Sequence, residues 1–164
     1  SAASAGGRGA AFTLEAIFAA PTSDAHPQRD AAARIPAGLR VLAVDALEAD
    51  RRAAALILEP FGVRLTEASS YTAAFELLGA HAFDLVLMDL DGPEGFSREI
   101  CRRLRAASGP NRRTPLIGCS TAADNRDQSG LGLAGVVAKP FDQAVLRAVV
   151  SAALDLKARA EAAA

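Results

Sequence analysis

The stretch FDLVLMDLDGP, residues 83–93, carries four apolar residues, Leu85 to Met88, straight into the carboxylate of Asp89. A carboxylate at the edge of a core is costly unless it is paired, solvated at a crevice, or holding a cation. Capping a helix or making a turn is the plainer use of such an aspartate. Three more residues weigh against the plain use. Asp45 follows the apolar run LRVLAV, Ser120 closes TPLIGC, and Lys139 follows GVVA. Two carboxylates, a hydroxyl and an ammonium thus stand at the ends of four apolar runs, and the elements between decide whether they meet.

From Leu39 onward the pattern is dense and regular. LRVLAVD (39–45) has the length and composition of a buried strand. ADRRAAALIL (49–58) places Ala53, Leu56 and Ile57 on one helical face, and Pro60 closes that helix. VRLTEA (63–68) alternates as a more peripheral strand, and SYTAAFELLGA (70–80) reads as a helix with Ser70 as cap and Gly79 as stop. The opening stretch is the third strand, and Phe96, Ile100 and Leu104 mark a helix over 95–107. TPLIGCS (114–120) and GVVA (135–138) are the fourth and fifth strands, separated by a Gly-rich, weakly helical segment, 121–134. A long helix runs from Asp142 to about Ala162, with Val145, Leu146, Val149, Val150, Leu154 and Leu156 as its apolar stripe. Strands apolar on both faces, joined by helical crossovers, predict an α/β fold: a doubly wound, five-stranded parallel sheet covered on both sides. Ligands bind such sheets at the carboxyl ends of the strands, where the winding reverses. Asp45, Asp89, Ser120 and Lys139 converge there.

Together these segments resemble the receiver domain of two-component signalling, over residues 39 to about 155. The resemblance implies the (βα)5 flavodoxin-like receiver fold. DLVLMDLDGP is similar to the phosphoacceptor segment, with Asp89 as acceptor and Pro93 four residues on; TPLIGCS and VAKPF match the segments that place Ser120 and Lys139. The chemistry this resemblance implies is centred on Asp89. Its carboxylate attacks phosphohistidine and becomes an aspartyl phosphate, while Mg²⁺, held by Asp45, Asp89 and Asp91, neutralises the phosphoryl oxygens. Lys139 and Ser120 stabilise the same charge and transmit the switch. The chain departs from the pattern at Ala46, where the family has a second acid that binds the metal directly. It departs again in a short loop after Asp89, in a short segment before Lys139, and at Val136 in place of an aromatic. Ala46 implies weak Mg²⁺ binding and slow phosphorylation unless Glu48 or Asp91 supplies the missing charge. The alternative is a pseudo-receiver, a protein- or nucleotide-binding regulatory module of a hybrid kinase that works without phosphorylation.

The remaining expectations concern context. Residues 1–19, with GGRGAAFTLEAIF, resemble the closing glycine box and strand of a histidine-kinase ATP-binding domain; 20–38 read as a Pro-containing linker; 39–155 form the receiver, and 156–164 a helical extension. The chain begins at Ser1 rather than Met and reads as a segment of a hybrid kinase. The partners implied are a histidine kinase or phosphotransfer domain, and a second-messenger nucleotide if the pairs Arg51-Arg52 and Arg112-Arg113 and the Arg102, Arg103 and Arg105 cluster bind phosphate rather than water. A net charge of −1 gives no footprint for nucleic acid. No apolar window approaches the roughly 18 residues a spanning helix needs, so this segment is expected to make no membrane contact, and its two unpaired cysteines, Cys101 and Cys119, lead to the expectation of a cytoplasmic chain. Cys101 and Cys119 sit in apolar contexts and read as reduced core thiols, and Tyr71 reads as a structural residue.

Overall fold

The computed structural model describes residues 35–92, 96–106, 109–121 and 130–162. The strand expected at 11–18, most of the linker, Pro93 and most of the Gly-rich segment before Lys139 lie outside the described residues. Within them, β1 (Arg40–Val44), α1 (Glu48–Leu58), β2 (Arg64–Ala68), α2 (Tyr71–Ala80), β3 (Leu85–Asp89), α3 (Phe96–Ala106), β4 (Leu116–Ser120), β5 (Gly135–Ala138) and α4 (Gln143–Ala162) succeed one another in that order. The five strands form one sheet in the order β2-β1-β3-β4-β5, every neighbouring pair parallel. This is the expected doubly wound, flavodoxin-like architecture. The winding reverses between β1 and β3, the two strands that carry Asp45 and Asp89 at their carboxyl ends.

Side chains alternate across a strand, and here the alternation sorts the apolar residues into two cores. Val41, Leu85, Leu87, Ile117, Cys119 and Val137 face one way and pack with Ala54 and Leu58 of α1 and with Leu146, Val150 and Ala153 of α4. Leu42, Val44, Val86, Met88 and Leu116 face the other way, onto Ala74 and Leu78 of α2 and Ile100 and Leu104 of α3. The same count carries on past the strand ends. Asp45, Asp89 and Lys139 share the parity of the α1/α4 side, whereas Ser120 has that of the α2/α3 side.

Four local expectations are corrected. The inward face of α1 is Ala54, Ala55 and Leu58; Ile57 is partly buried and Leu56 is 68% exposed. The spacing that selects Ala53 and Leu56 is one residue out of phase because the three consecutive alanines, Ala53 to Ala55, blur the apolar stripe. In α4, Leu146, Val150 and Ala153 are buried while Val145 and Leu156 point outward, since Phe141 and Val149 already flank the narrow seam against the sheet. Gly79 does not stop α2, which continues to Ala80 with His81 as its C-cap; Ser70 does cap the start, accepting from the Ala73 N–H at 3.2 Å. Ile35, assigned to the linker, is buried in the α1/α4 core, and the Gly38 N–H donates to the Gly62 carbonyl at 2.8 Å. The packed body therefore begins before Leu39.

Candidate active site

The loop from β1 into α1 is built around Asp45. Its Oδ1 accepts from the Leu47 N–H at 2.9 Å, fixing the turn that starts α1 in the absence of a side-chain cap on the helix. Arg51, one turn on, donates from Nη1 to the Asp45 carbonyl at 2.7 Å and from Nε to Glu67 on β2 at 2.9 Å. This leaves Asp45 Oδ2 directed at Lys139, 2.6 Å from Nζ. Lys139 follows β5, its peptide to Pro140 is cis, and its own N–H donates to the Ser120 carbonyl at 2.8 Å.

Lys139 Nζ also lies 2.7 Å from Asp89 Oδ1 and 3.0 Å from Asp50 Oδ2. One ammonium is held by three carboxylates, from the ends of β1 and β3 and from the first turn of α1. Its side chain is 4% exposed, against 8% for Asp45, 10% for Asp89 and 24% for Asp50. Burial alone would lower the lysine's pKa, but the hydrogen bonds to Asp45, Asp89 and Asp50 outweigh it, and the ammonium is held more firmly charged than a free lysine. A buried ion cluster of this kind survives because each charge has a partner with good geometry.

Asp91 and Ser120 form a second, adjacent pair. Ser120 Oγ donates to Asp91 Oδ1 at 2.6 Å, and the Thr121 N–H to Oδ2 at 2.7 Å. Burial pushes the Asp91 carboxyl up, but these donors more than reverse it, so its pKa lies below the usual value. The Asp91 N–H in turn donates to Asp89 Oδ1 at 3.1 Å, so the loop after β3 ties the Asp89 carboxylate to the end of β4. Asp45, Asp89 and Lys139 are thus brought into direct contact, while Asp91 and Ser120 contact each other beside them.

Sequence reasoning missed two residues here. Glu48, the acid it favours in α1, is exposed, and Asp50 reaches the site instead; a first-turn helix residue on the strand's carboxyl side is the signal that would have found it. Tyr71 donates from its hydroxyl to the Asp89 carbonyl at 3.3 Å, and a Cβ on Gly92 would collide with that hydroxyl. Burial and the nearby Asp89 raise its pKa. The reading of Tyr71 as a structural residue stands, and its place beside the loop after β3 is what the sequence did not show. Arg102 and Arg103 lie on a solvated face and pair there with Glu99, while Arg105 donates to the Arg112 and Thr114 carbonyls at 2.8 and 2.9 Å.

The profile of the response regulator receiver domain matches residues 41–151. This chain belongs to the receiver domain family. Ethylene receptor 2 of Arabidopsis thaliana is 32% identical over 145 residues, covering 80% of this chain and 17% of that protein. The sensor histidine kinase AruS of Pseudomonas aeruginosa is 32% identical over 146 residues, covering 86% and 14%. The chain spans less than a fifth of the length of these relatives. In fold, the receiver domain resembles that of another Pseudomonas aeruginosa sensor histidine kinase, described with a magnesium ion coordinated in the active site cleft (TM-score 0.65, 24% identity, 73% of this chain and 99% of that one). A sensor protein from Polaromonas aligns with TM-score 0.66 at 22% identity, covering 73% and 98%. No helix among the described residues is long and apolar enough to cross a membrane.

The donor set of this receiver domain suits a hard divalent cation: carboxylate oxygens of Asp45, Asp50 and Asp89 already converge on one positive charge. Among the described residues no group of three acidic, His or Cys side chains is placed to hold a metal ion. The oxygens are arranged about ammonium, and a cation must share them with it.

Proposed function

We propose that this receiver domain accepts a phosphoryl group on Asp89 from phosphohistidine of a histidine kinase or phosphotransfer domain. The observation that carries the reading is the contact of Lys139 with both Asp89 and Asp45 at the carboxyl edge of the sheet, where the winding reverses. An Asp89 carboxylate oxygen forms the new O–P bond as the N–P bond of phosphohistidine breaks; the electron pair stays on the imidazole nitrogen, which takes a proton from water. Lys139, already on Asp89 Oδ1, stabilises charge on the transferring group, and the Ser120 hydroxyl can leave Asp91 to bond a phosphoryl oxygen. That exchange would free Asp91 and shift the loop after β3 relative to β4, the switch. Asp45 and Asp89, with Asp91 nearby, would hold Mg²⁺, which supplies neutralisation of the phosphoryl oxygens. Ala46 and the lysine's hold on the same oxygens make that binding weak.

A non-phosphorylated, nucleotide-binding role draws less support. Four of the seven arginines named for it, Arg51, Arg102, Arg103 and Arg105, already have partners within the chain. The test is transfer from a phosphohistidine donor in Mg²⁺, followed by intact mass. A single phosphoryl adduct, absent in Asp89→Asn, is the expected result. An adduct that persists in Asp89→Asn would move the acceptor elsewhere.

A further inference from the structure

A cavity opens at the edge of the sheet opposite Asp89. Residues 109–114 lead into the amino end of β4, and α4 runs back along the sheet until Lys157 comes within 3.6 Å of Asp84, just ahead of β3. Between them lies a space of about 290 Å³, lined by Gly109, Pro110, Arg112, Arg113, Lys157 and Glu161. The cleft beside Asp45 and Asp89 encloses about 10 Å³. A five-residue strand is about 16 Å long, so the two places are separate. We propose that the amino-edge cavity is an anion site, which takes the phosphate group of a small ligand on Arg112, Arg113 and Lys157.

The loop is built to present the two arginines. Asn111 is 2% exposed; its Nδ2 donates to the Leu78 and His81 carbonyls, both at 2.7 Å, and its Oδ1 accepts from the Phe83 N–H at 2.8 Å. Thr114 Oγ1 donates to the Phe83 carbonyl at 3.0 Å, and Arg105 Nη1 holds the Arg112 and Thr114 carbonyls. With Asn111 and Thr114 anchored inward, Arg112 and Arg113 between them stay exposed, and among the described residues neither guanidinium has a partner. A loop fixed in this way loses little freedom when a ligand binds. Lys157, its side chain 21% exposed, faces Asp84 at a distance beyond that of an N–H···O hydrogen bond, so its donors stay available. Three cations against the carboxylate of Glu161 leave a local excess of two positive charges in a chain whose net charge is −1. A phosphate monoester carries about −1.5 to −2 at pH 7, and guanidiniums pair with its oxygens through parallel hydrogen bonds. The volume stands at the lower bound of small-ligand sites, about 300 Å³.

The test is a calorimetric titration of the whole chain with inorganic phosphate, pyrophosphate and AMP, in EDTA and at low salt. Binding should weaken by about 10-fold in Arg112→Gln and in Arg113→Gln, the loss expected for a hydrogen bond to a charged group. Glu161→Gln should bind more tightly than wild type, and all three variants should keep the wild-type Tm without ligand, as exposed positions do. AMP tighter than phosphate assigns the site to a nucleotide, AMP no tighter assigns it to the phosphate group alone, and the proposal stands on either. No binding of any probe, or binding unchanged in both arginine variants, would overturn it. Triglutamate held as tightly as pyrophosphate would show only a cationic surface, and would overturn it too. So would binding lost in Lys139→Met but kept in Arg112→Gln, which would put the anion at the carboxyl edge. Binding is read here without phosphoryl transfer, so its outcome is independent of the acceptor role of Asp89.

Discussion

Replacing Lys139 by methionine keeps much of the side chain's apolar length and removes its charge together with its hydrogen-bond donors. The ammonium now balances Asp45, Asp50 and Asp89 at 2.6, 3.0 and 2.7 Å, from a side chain 4% exposed. Breaking a buried ion pair by removing one partner costs about 3–5 kcal/mol, because a charge is left without compensation. Asp50 is partly solvated and offsets some of that, so the lower half of the range is expected. For a body of this size each kcal/mol shifts Tm by about 3–5 °C, so Lys139→Met should melt about 9–20 °C below wild type in EDTA. Mg²⁺ should then recover part of the loss, since a cation present at 100 times its Kd stabilises by about 2.7 kcal/mol. Wild type should gain less, because its lysine already occupies the same oxygens. Thermal melts of both proteins with EDTA and with saturating Mg²⁺ check this. A variant that melts within a few degrees of wild type, or the same Mg²⁺ increment in both, would refute the competition between lysine and cation.

Packing and burial set three other outcomes. Leu58→Ala should destabilise by about 2–5 kcal/mol in denaturant unfolding, whereas Leu56→Ala, at a side chain 68% exposed, should change stability by less than about 0.5 kcal/mol. The Cys119 thiol is pushed up to about 12 by burial, so native protein at pH 8 should resist thiol reagents at this residue until it unfolds. Because the unfolded thiol ionises near 9 and the folded one does not, stability should fall as pH rises from about 9 toward 12. Deleting residues 157–164 should leave Tm nearly unchanged, since the end of α4 is largely exposed and its ion pair to the body, Lys157 to Asp84, spans 3.6 Å.

The period-two and helical patterns made the sheet and the edge carrying Asp45, Asp89, Ser120 and Lys139 readable in advance, because each strand is an apolar run ending at a polar residue. Parity also held the information that Ser120 belongs to the other side from Lys139, a distinction that spacing alone does not draw. Asp50 and Tyr71 were hidden for a different reason. Each lies at the start of a helix, where its sequence neighbours look like ordinary helix residues and only the crossing of helix and sheet brings it to the strand ends. The phase of α1 is ambiguous in sequence because Ala53, Ala54 and Ala55 serve either face equally well on composition.

The central claim is that Asp89 accepts a phosphoryl group at a rate limited by a weakly held Mg²⁺. The most direct measurement is the rate of adduct formation on Asp89 across a Mg²⁺ titration, from one phosphohistidine donor, in wild type and Ala46→Asp. Wild type should label at a rate that keeps climbing after Ala46→Asp has saturated, and the two should converge at high Mg²⁺. A wild type that saturates at the same Mg²⁺ concentration as Ala46→Asp would contradict the weak site. No adduct at any concentration, with Ala46→Asp labelling readily, would contradict the acceptor function itself.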